Sequence, residues 1–230
     1  MLANIFLHAV LDVWFEGEVK RHLCGHAELV RFADDFVIAF EREDDARRVY
    51  DVLPKRFAKH GLELHPEKTR LVPFKRPSYS KKDDGRTQGP EQGTFDLLGF
   101  TFYWARSKRG FWVIQLKTTR NRLTRTLHAL SDWCRRNRHK PVREQWLRIS
   151  RALKGHFAYF GVMGNEGRLY ALRTAAYRVW RNWLNRRSQR ARVTWKKMRQ
   201  IAERYPLPQL PRSRDLKPPR SRDLTPLANP

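Results

Sequence analysis

Two adjacent carboxylates, Asp34 and Asp35, lie within the otherwise largely apolar segment LVRFADDFVIAF at residues 29–40. Neighbouring like charges repel each other and lose solvation in such a segment unless a cation or basic partners offset the cost. Carboxylate oxygens are ligands that Mg²⁺ and Mn²⁺ prefer. Two such metal ions, held about 3.5–4 Å apart, support nucleotidyl transfer. The alternative is an ordinary turn, since Asp is common in turns. The dipeptide by itself favours the turn.

The residues around the acidic pair predict the elements that hold it. β-branched and aromatic residues indicate strands at about 27–31 and 36–40, which would form a hairpin with the acids at its tip. A helix at about 2–16 is expected to precede this hairpin. Its predicted buried face consists of Leu2, Phe6, Ala9 and Val13.

After the hairpin, a helical pattern begins at Glu43 and reaches a C-cap at Gly61. Pro54 lies inside that helix and predicts a kink or an early break. A short strand is expected at Leu62–Leu64, followed by a polar loop at 75–94.

Two more strands are predicted, at 95–104 and 110–116, and the chain then becomes helical. Thr119 is the expected N-cap of the first helix, and Pro141 suits the first turn of the second. A fourth, short helix is predicted at about 194–204. Apolar stripes indicate the three longer helices: Leu123, Leu127, Leu130 and Cys134; Val142, Trp146, Ile149, Leu153 and Phe157; Leu169, Leu172, Ala176, Val179 and Trp183.

The chain is strongly basic, with 48 Lys and Arg against 23 Asp and Glu and a formal charge of +25. Residues 117–200 carry 23 basic and 3 acidic side chains, which indicates a polyanionic partner such as RNA. Arginine suits fork-shaped phosphate contacts, and such binding weakens as salt rises. The candidate nucleic-acid-binding residues are Arg120, Arg122, Arg125, Arg135, Arg136, Arg138, Arg181, Arg186, Arg187, Arg190 and Arg192.

Cys24 and Cys134 lie far apart and are expected to be free thiols, as in a reducing cytoplasm. His22, Cys24 and His26 alternate and could in principle bind zinc, but the sequence around them offers no fourth ligand, so a polar strand or turn is the preferred interpretation. The sequence has no apolar run long enough to suggest a membrane span. The predicted location is therefore cytoplasmic, with nucleic acid as partner.

Three ordered motifs, VRFADDFVIAF, GLELHPEKTRLV and FDLLGFTFYW, resemble the reverse transcriptases encoded by group II introns. LANIFLH at 2–8 is similar to the end of the preceding block of that family. RNRHKPVREQWLRISRALKGHFAYFGV at 136–162 resembles the family's thumb or maturase domain. The resemblance runs from residue 2 to about residue 208.

The resemblance implies an α+β fold class in two parts, and the composition of the last residues predicts a tail beyond them. Residues 1–116 would form the C-terminal part of a reverse-transcriptase palm, with antiparallel hairpins and packing helices. Residues 117–205 would form an all-α, basic thumb or maturase bundle. Residues 206–230, which contain the repeat PRSRDL, are expected to be a disordered tail.

The resemblance also implies residue roles in the FADD motif, where Phe32 replaces the family's usual Tyr. Asp34 would bind the catalytic Mg²⁺ (or Mn²⁺) ions, and Asp35 would assist less directly. Lys68 would approach the pyrophosphate end of the incoming nucleotide. From its own surroundings Lys68 is an ordinary surface lysine.

The primer-grip segment of the family corresponds to Leu98, Gly99 and Phe100. A glycine there allows two backbones to approach closely, although from the pattern alone Gly99 could be a plain bulge.

Family polymerases carry a third metal-binding aspartate and template-holding fingers upstream of these motifs, ahead of residue 1. We therefore expect little or no polymerase activity from this chain by itself. The expected partners are intron RNA and a DNA primer or target. Three alternatives stay open: an RNA-binding splicing helper, half of a split enzyme completed by an upstream-encoded chain, or a degraded gene product.

Overall fold

The computed structural model describes residues 2–77, 93–107, 109–211 and 216. Contacts divide the chain into two compact units, Met1–Leu98 and Gly99–Pro230. The domain boundary expected from the sequence, after residue 116, stays a prediction. The strands after Leu98 pack against the helical unit, for example through Phe100 and Phe160.

The first unit begins with a helical segment and continues through a hairpin and one long helix. Its elements are α1 (Leu2–Leu7), a π-helical segment (His8–Asp12), α2 (Val13–Gly17), a 3₁₀ turn (Val19–His22), β1 (Ala27–Phe32), β2 (Asp35–Phe40), α3 (Glu43–Lys59) and β3 (Phe95–Leu97). A buried cluster joins the N-terminal helices to α3 through Leu11, Trp14, Leu53 and Phe57.

The predicted buried face of the N-terminal helix is wrong. Leu2, Phe6 and Val13 are exposed, whereas Trp14 and Phe15 are buried. Apolar residues occupy more than one face of this segment, and the face that carries the two large aromatic rings removes the most apolar area from water. The π-helical segment also adds a residue to one turn, which rotates the next residues about the helix axis.

The acid-bearing hairpin is confirmed, with β1 and β2 antiparallel and Phe32 opposite Asp35. The face that carries Leu29 and Phe36 packs against the helical cluster of this unit. Because side chains alternate between the two faces of a strand, Phe32 and Asp35 lie on the opposite face.

Helix α3 runs through Pro54 without a break, contrary to the early end that this proline suggested. The C-cap residue is His60, one residue before the predicted Gly61, and Gly61 follows it with a left-handed φ of +67°. Residues 62–64 form no strand; Leu62 and Leu64 instead pack on the edge of the helical cluster. Residues 78–92, most of the polar loop predicted at 75–94, lie outside the described residues.

The second unit contains one hairpin and a helical bundle. Its elements are β4 (Phe100–Arg106), β5 (Trp112–Thr118), α4 (Arg120–Arg136), α5 (Val142–Phe160), α6 (Glu166–Asn185) and α7 (Trp195–Arg204). The predicted strand at 95–104 is therefore interrupted, because Leu98 and Gly99 form a turn in which both have positive φ.

The helices of this unit follow the predicted stripes. Leu130, Ile149 and Leu172, from α4, α5 and α6, lie in one buried cluster. Thr119 caps α4 as predicted, because its hydroxyl accepts a hydrogen bond from the Arg122 amide at 3.3 Å. Pro141 stands at the N-cap of α5 rather than inside its first turn.

The prediction of a disordered tail from residue 206 is wrong for its first residues. Leu207 is buried, and its amide donates to the Tyr177 hydroxyl at 2.9 Å. The Trp146 indole and the Arg173 guanidinium donate to the carbonyls of residues 206 and 208 at 2.8 and 3.0 Å. These contacts, together with the packing of Leu207 and Leu210 on the helical cluster, hold this short stretch in place. Residues 212–215 and 217–230 of the predicted tail lie outside the described residues.

Among the residues that the structure describes, no helix combines the length and the apolar character that crossing a membrane requires.

Candidate active site and nucleic-acid-binding surface

The tip of the β1–β2 hairpin consists of Ala33 and Asp34, between the paired residues Phe32 and Asp35. Ala33 has a φ of +57°, whereas the φ of Asp34 is not positive. A single positive φ at the first central position is typical of a type II′ hairpin turn, which usually places glycine there. A non-glycine residue held in a sparsely populated positive-φ region costs about 1–3 kcal/mol.

The two carboxylates at this tip are open to solvent. Asp34 and Asp35 are both exposed, and neither makes a hydrogen bond or an ion pair within the described ranges. Phe32, on the same face as Asp35, is 65% exposed. The like charges are therefore not offset by a neighbouring arginine, and their oxygens are available to a cation.

Arg31 ties the hairpin tip to the N-terminal helical segment. Its Nε and Nη2 donate to the two carboxylate oxygens of Asp12, both at 2.7 Å, and its Nη1 donates to the Ala33 carbonyl at 2.8 Å. The hydrogen bond from Arg31 holds the pKa of Asp12 below its usual value. His8 lies 2.9 Å from the same carboxylate. The arginine thus bridges a fixed carboxylate and the one strained residue of the turn.

The donor set at the tip suits a hard divalent cation, because both groups are carboxylates. Within the described parts of the chain, no three His, Cys, Asp or Glu side chains come close enough to hold a metal ion. Asp34 and Asp35 would therefore be two ligands of a larger site. The magnesium prediction fits the chemistry of these residues.

Lys68 lies in a turn whose backbone is well anchored. Its amide donates to the His65 carbonyl at 3.2 Å, and the Tyr50 hydroxyl of α3 donates to the Thr69 carbonyl at 3.2 Å. The Lys68 side chain is exposed. An exposed ammonium group of this kind is typical of a surface lysine, and it is also accessible to a nucleotide phosphate.

The predicted primer-grip segment is a tight turn rather than a bulge. Leu98 has a φ of +52° and Gly99 one of +82°. Gly99 accepts a hydrogen bond from the Thr119 amide at 3.0 Å. A Cβ at Gly99 would lie 3.3 Å from Phe160 and 3.4 Å from the Arg122 Nε, which is close but not prohibitive, so the positive φ is the main reason that glycine suits this position.

Aromatic residues at the end of α5 pack against the residue that follows this turn. Phe100 stacks on Tyr159 with ring centroids 6.0 Å apart and meets the Phe160 ring edge-on at 5.0 Å. These aromatic contacts bring Gly99, Phe100 and Arg122 together in the second unit. They also explain why β4 belongs with the helices.

A buried amide locks β5 to the end of α5. The Asn165 side chain accepts from the Thr118 amide at 2.8 Å and donates to the Thr118 hydroxyl at 2.7 Å and to the Phe160 carbonyl at 2.8 Å. Both Asn165 and Thr118 are fully buried. This network fixes the backbone of Phe160, whose ring lies next to Gly99.

Most of the candidate nucleic-acid-binding arginines are exposed on the bundle. Six of them have no side-chain partner among the described residues: Arg120, Arg125, Arg136, Arg138, Arg190 and Arg192. Arg135 makes only a loose ion pair with Asp132, at 3.7 Å. Arg186 lies over the Trp183 ring at 5.2 Å. This arrangement supplies several uncompensated positive charges.

Two of the predicted arginines also serve the fold. The Arg187 guanidinium donates to the carbonyls of Arg138 and Lys140, and its partial burial lowers its pKa. The Arg181 Nε donates to the Val193 carbonyl at 2.9 Å. These contacts leave fewer free donors for phosphate than the sequence alone indicated.

Sequence reasoning missed Asp12, Arg31 and Asn165. Arg31 stands in the quoted motif directly before Phe32, but its partner lies 19 residues away, which no spacing rule indicates. Asn165 stands between two glycines and looks like a loop residue. Its three hydrogen bonds become visible only with β5 and the end of α5 in place.

A known protein family matches the first part of the chain. Residues 1–102 match the family described as reverse transcriptase (RNA-dependent DNA polymerase). No curated protein matches the chain. The matched region covers fewer than half of the 230 residues and contains the acidic hairpin, the Lys68 turn and the Gly99 turn.

The match supports a reverse transcriptase, and the mixed α and β elements of the described residues are compatible with a palm-like region. Reverse transcriptases act on nucleic acids and generally use Mg²⁺. The helical unit beyond residue 102 lies outside the match.

Proposed function

We propose that this chain is part of a group II intron-type reverse transcriptase and maturase, in which the acidic hairpin contributes metal ligands and the helical unit binds intron RNA. The observation that carries the proposal is the exposed pair Asp34 and Asp35 on a strained turn inside the region that matches reverse transcriptases. Bound magnesium would supply charge stabilisation to nucleotidyl transfer onto a primer 3′-hydroxyl.

Each of these elements would have its own role. Asp34 and Asp35 would hold a cation with their solvent-facing oxygens, and Arg31 keeps their turn in place. Lys68 would neutralise the pyrophosphate end of the nucleotide. Gly99 and Phe100 would support the primer backbone, since the Gly99 turn leaves no side chain in the way.

Nucleotidyl transfer would also need fingers and a third metal-binding aspartate besides the residues named above. The test is primer extension on an RNA template with Mg²⁺, using the chain alone and the chain supplied with an upstream-encoded segment. Extension in the second reaction, and its loss in Asp34→Asn, is the expected result. Asp96→Asn serves as the matched control, because Asp96 is a carboxylate of the same unit outside the hairpin. Extension that persists undiminished in Asp34→Asn would refute the role of the hairpin.

A second candidate function is an RNA-binding splicing helper without polymerase activity. It is favoured by the 23 basic against 3 acidic side chains of residues 117–200 and by the unpaired arginines on the bundle. Filter binding of a structured intron RNA at increasing salt tests it. The logarithm of the binding constant should fall linearly with the logarithm of the salt concentration. Binding that is absent, or that does not respond to salt, would exclude both candidates as RNA binders.

A further inference from the structure

An open groove lies between α6 and α7 of the second unit. Its cavity of about 430 Å³ is lined by Tyr177 and Arg178 from α6 and by Trp195, Met198 and Arg199 from α7. Ligand pockets in proteins have volumes of about 300–1,000 Å³, so a flat heterocycle could be accommodated. The groove lies outside the residues that match the reverse-transcriptase family.

Trp195 is the notable side chain of this groove. It is the first residue of α7 and is 49% exposed, although tryptophan is normally well buried. Its ring is held in position by Arg181, whose guanidinium lies 4.4 Å from the ring centroid. Arg181 is itself fixed by its hydrogen bond to the Val193 carbonyl. An indole that is both half-exposed and rigidly placed loses little conformational entropy when it stacks on a ligand.

The opposite wall is also pre-organised. The Tyr177 hydroxyl accepts from the Leu207 amide at 2.9 Å, and the Arg173 guanidinium lies 5.5 Å from the centre of the Tyr177 ring. Met198, which is buried, lies in the same lining. The groove therefore combines fixed aromatic and apolar surfaces.

The rim carries positive charge. Arg178 and Arg199 are exposed, and neither has a side-chain partner among the described residues. Helix α7 contains four basic residues and a single acid, Glu203. A ligand for this groove must therefore present a flat apolar group between negative charges. An unpaired base with its flanking phosphates has this composition, whereas the bases of a duplex are stacked on each other and cannot enter.

We propose that the groove between α6 and α7 binds an unpaired base of a single-stranded polynucleotide, which stacks on Trp195 while Arg178 and Arg199 contact the adjacent phosphates. The proposal rests on the proposed function, in which the helical unit binds RNA. It adds a site that distinguishes single-stranded from double-stranded polynucleotides. This site would accept any of the bases, because every base has a stacking face.

The test compares a short oligouridylate with an abasic oligonucleotide of the same length, bound by the full chain at low salt. Both probes carry the same phosphates, so their ratio of affinities isolates stacking. Stacking on one aromatic side chain corresponds to about 5-fold to 150-fold in affinity. The variants are Trp195→Leu and, as a milder change, Trp195→Phe. Tyr170→Leu is the matched control, because Tyr170 is an exposed aromatic residue of α6 outside the groove.

The expected result is a preference for the oligouridylate that falls to near one in Trp195→Leu, is reduced in Trp195→Phe and is unchanged in Tyr170→Leu. Circular dichroism of each variant verifies folding. Arg178→Gln should lower the salt slope by about 0.7. A DNA oligonucleotide of the same sequence forms a second arm, and a preference for either polymer identifies the source of the base.

Equal binding of the oligouridylate and the abasic strand by the wild type would overturn the groove proposal. So would an equal loss of preference in the Tyr170→Leu control. In either case, salt-sensitive binding of both probes would leave the proposed RNA-binding function intact, so the two failures are distinguishable. Preferential binding of an acidic peptide over both strands would identify a protein partner and also refute the proposal.

Discussion

Removing the Arg31 guanidinium should loosen the acidic hairpin. Arg31→Leu deletes two hydrogen bonds to Asp12 and one to the Ala33 carbonyl. A hydrogen bond to a charged group contributes about 1.5–3 kcal/mol. The Arg31 and Asp12 side chains are 14% and 23% exposed, so solvent screens the pair only in part. We expect the hairpin to lose about 2 kcal/mol of local stability, after this partial screening is taken into account.

Hydrogen exchange followed by mass spectrometry measures this loss in peptides that cover residues 27–40. A loss of about 2 kcal/mol corresponds to exchange that is about 30-fold faster. Arg47→Leu is the matched control, because Arg47 pairs with Glu43 in the same unit but both side chains are mostly exposed. Such a pair adds little to stability, so exchange in this control should stay close to that of the wild type.

A double-mutant cycle with Asp12→Asn separates the ion pair from other effects of the arginine. Coupling of about 1–2 kcal/mol is expected for residues in direct contact. Because the folded-state pKa of Asp12 is depressed, this contribution is present above the usual value of 3.8 and is lost as the pH falls through the folded value. Zero coupling, or exchange in Arg31→Leu that matches the Arg47→Leu control, would refute the clamp.

Three further predictions concern the helical unit and the thiols. Asn165→Ala leaves three buried partners unsatisfied and should cost about 3 kcal/mol in denaturant unfolding of the second unit, whereas Asn182→Ala, at an exposed position of α6, should change little. A maleimide should label Cys24 alone in the folded chain and both cysteines in denaturant, because Cys134 is buried and its thiol pKa is raised to about 11; rapid labelling of Cys134 in the native state would contradict its burial. Burial, with a smaller effect of a nearby arginine, lowers the pKa of His156 to about 4 from 6.5, so the unfolded state binds the proton first and stability should fall as the pH drops from about 6.5 to about 4; a His156→Leu variant should lack this component, and identical pH profiles would refute it.

Local sequence signals predicted the elements that depend on neighbouring residues. The strand pair around Asp34 is indicated by β-branched and aromatic residues on either side of a turn. Thr119 and Gly61 mark helix ends because a hydroxyl and a glycine satisfy requirements of the adjacent turn alone. These features need no knowledge of the rest of the chain.

Features that depend on distant partners could not be predicted in the same way. The N-terminal segment offers apolar residues on several faces, and which one is buried depends on α3. The turn at Leu98 uses positive φ in a residue that disfavours it, so the sequence looks like a continuous strand. Leu207 is buried because Tyr177 and Arg173 bind its surrounding backbone, although the stretch itself is rich in proline.

In the candidate site too, features set by neighbouring residues could be predicted and features set by distant partners could not. The acids are visible as a motif, whereas the arginine clamp behind them depends on a contact across 19 residues. The positive charge of the bundle can be counted in the sequence. Which guanidiniums are free for phosphate depends on carbonyls such as those that bind Arg187.

Binding of a divalent cation at the acidic hairpin is the property on which the proposed function depends most. Paramagnetic Mn²⁺, titrated into the ¹⁵N-labelled chain, broadens the amide signals of residues close to it. We predict broadening centred on residues 32–36 that disappears in the double variant Asp34→Asn with Asp35→Asn and persists in Asp96→Asn. Broadening that is absent from this turn, or that survives the loss of both carboxylates, would contradict the assignment of the hairpin as a metal-binding element.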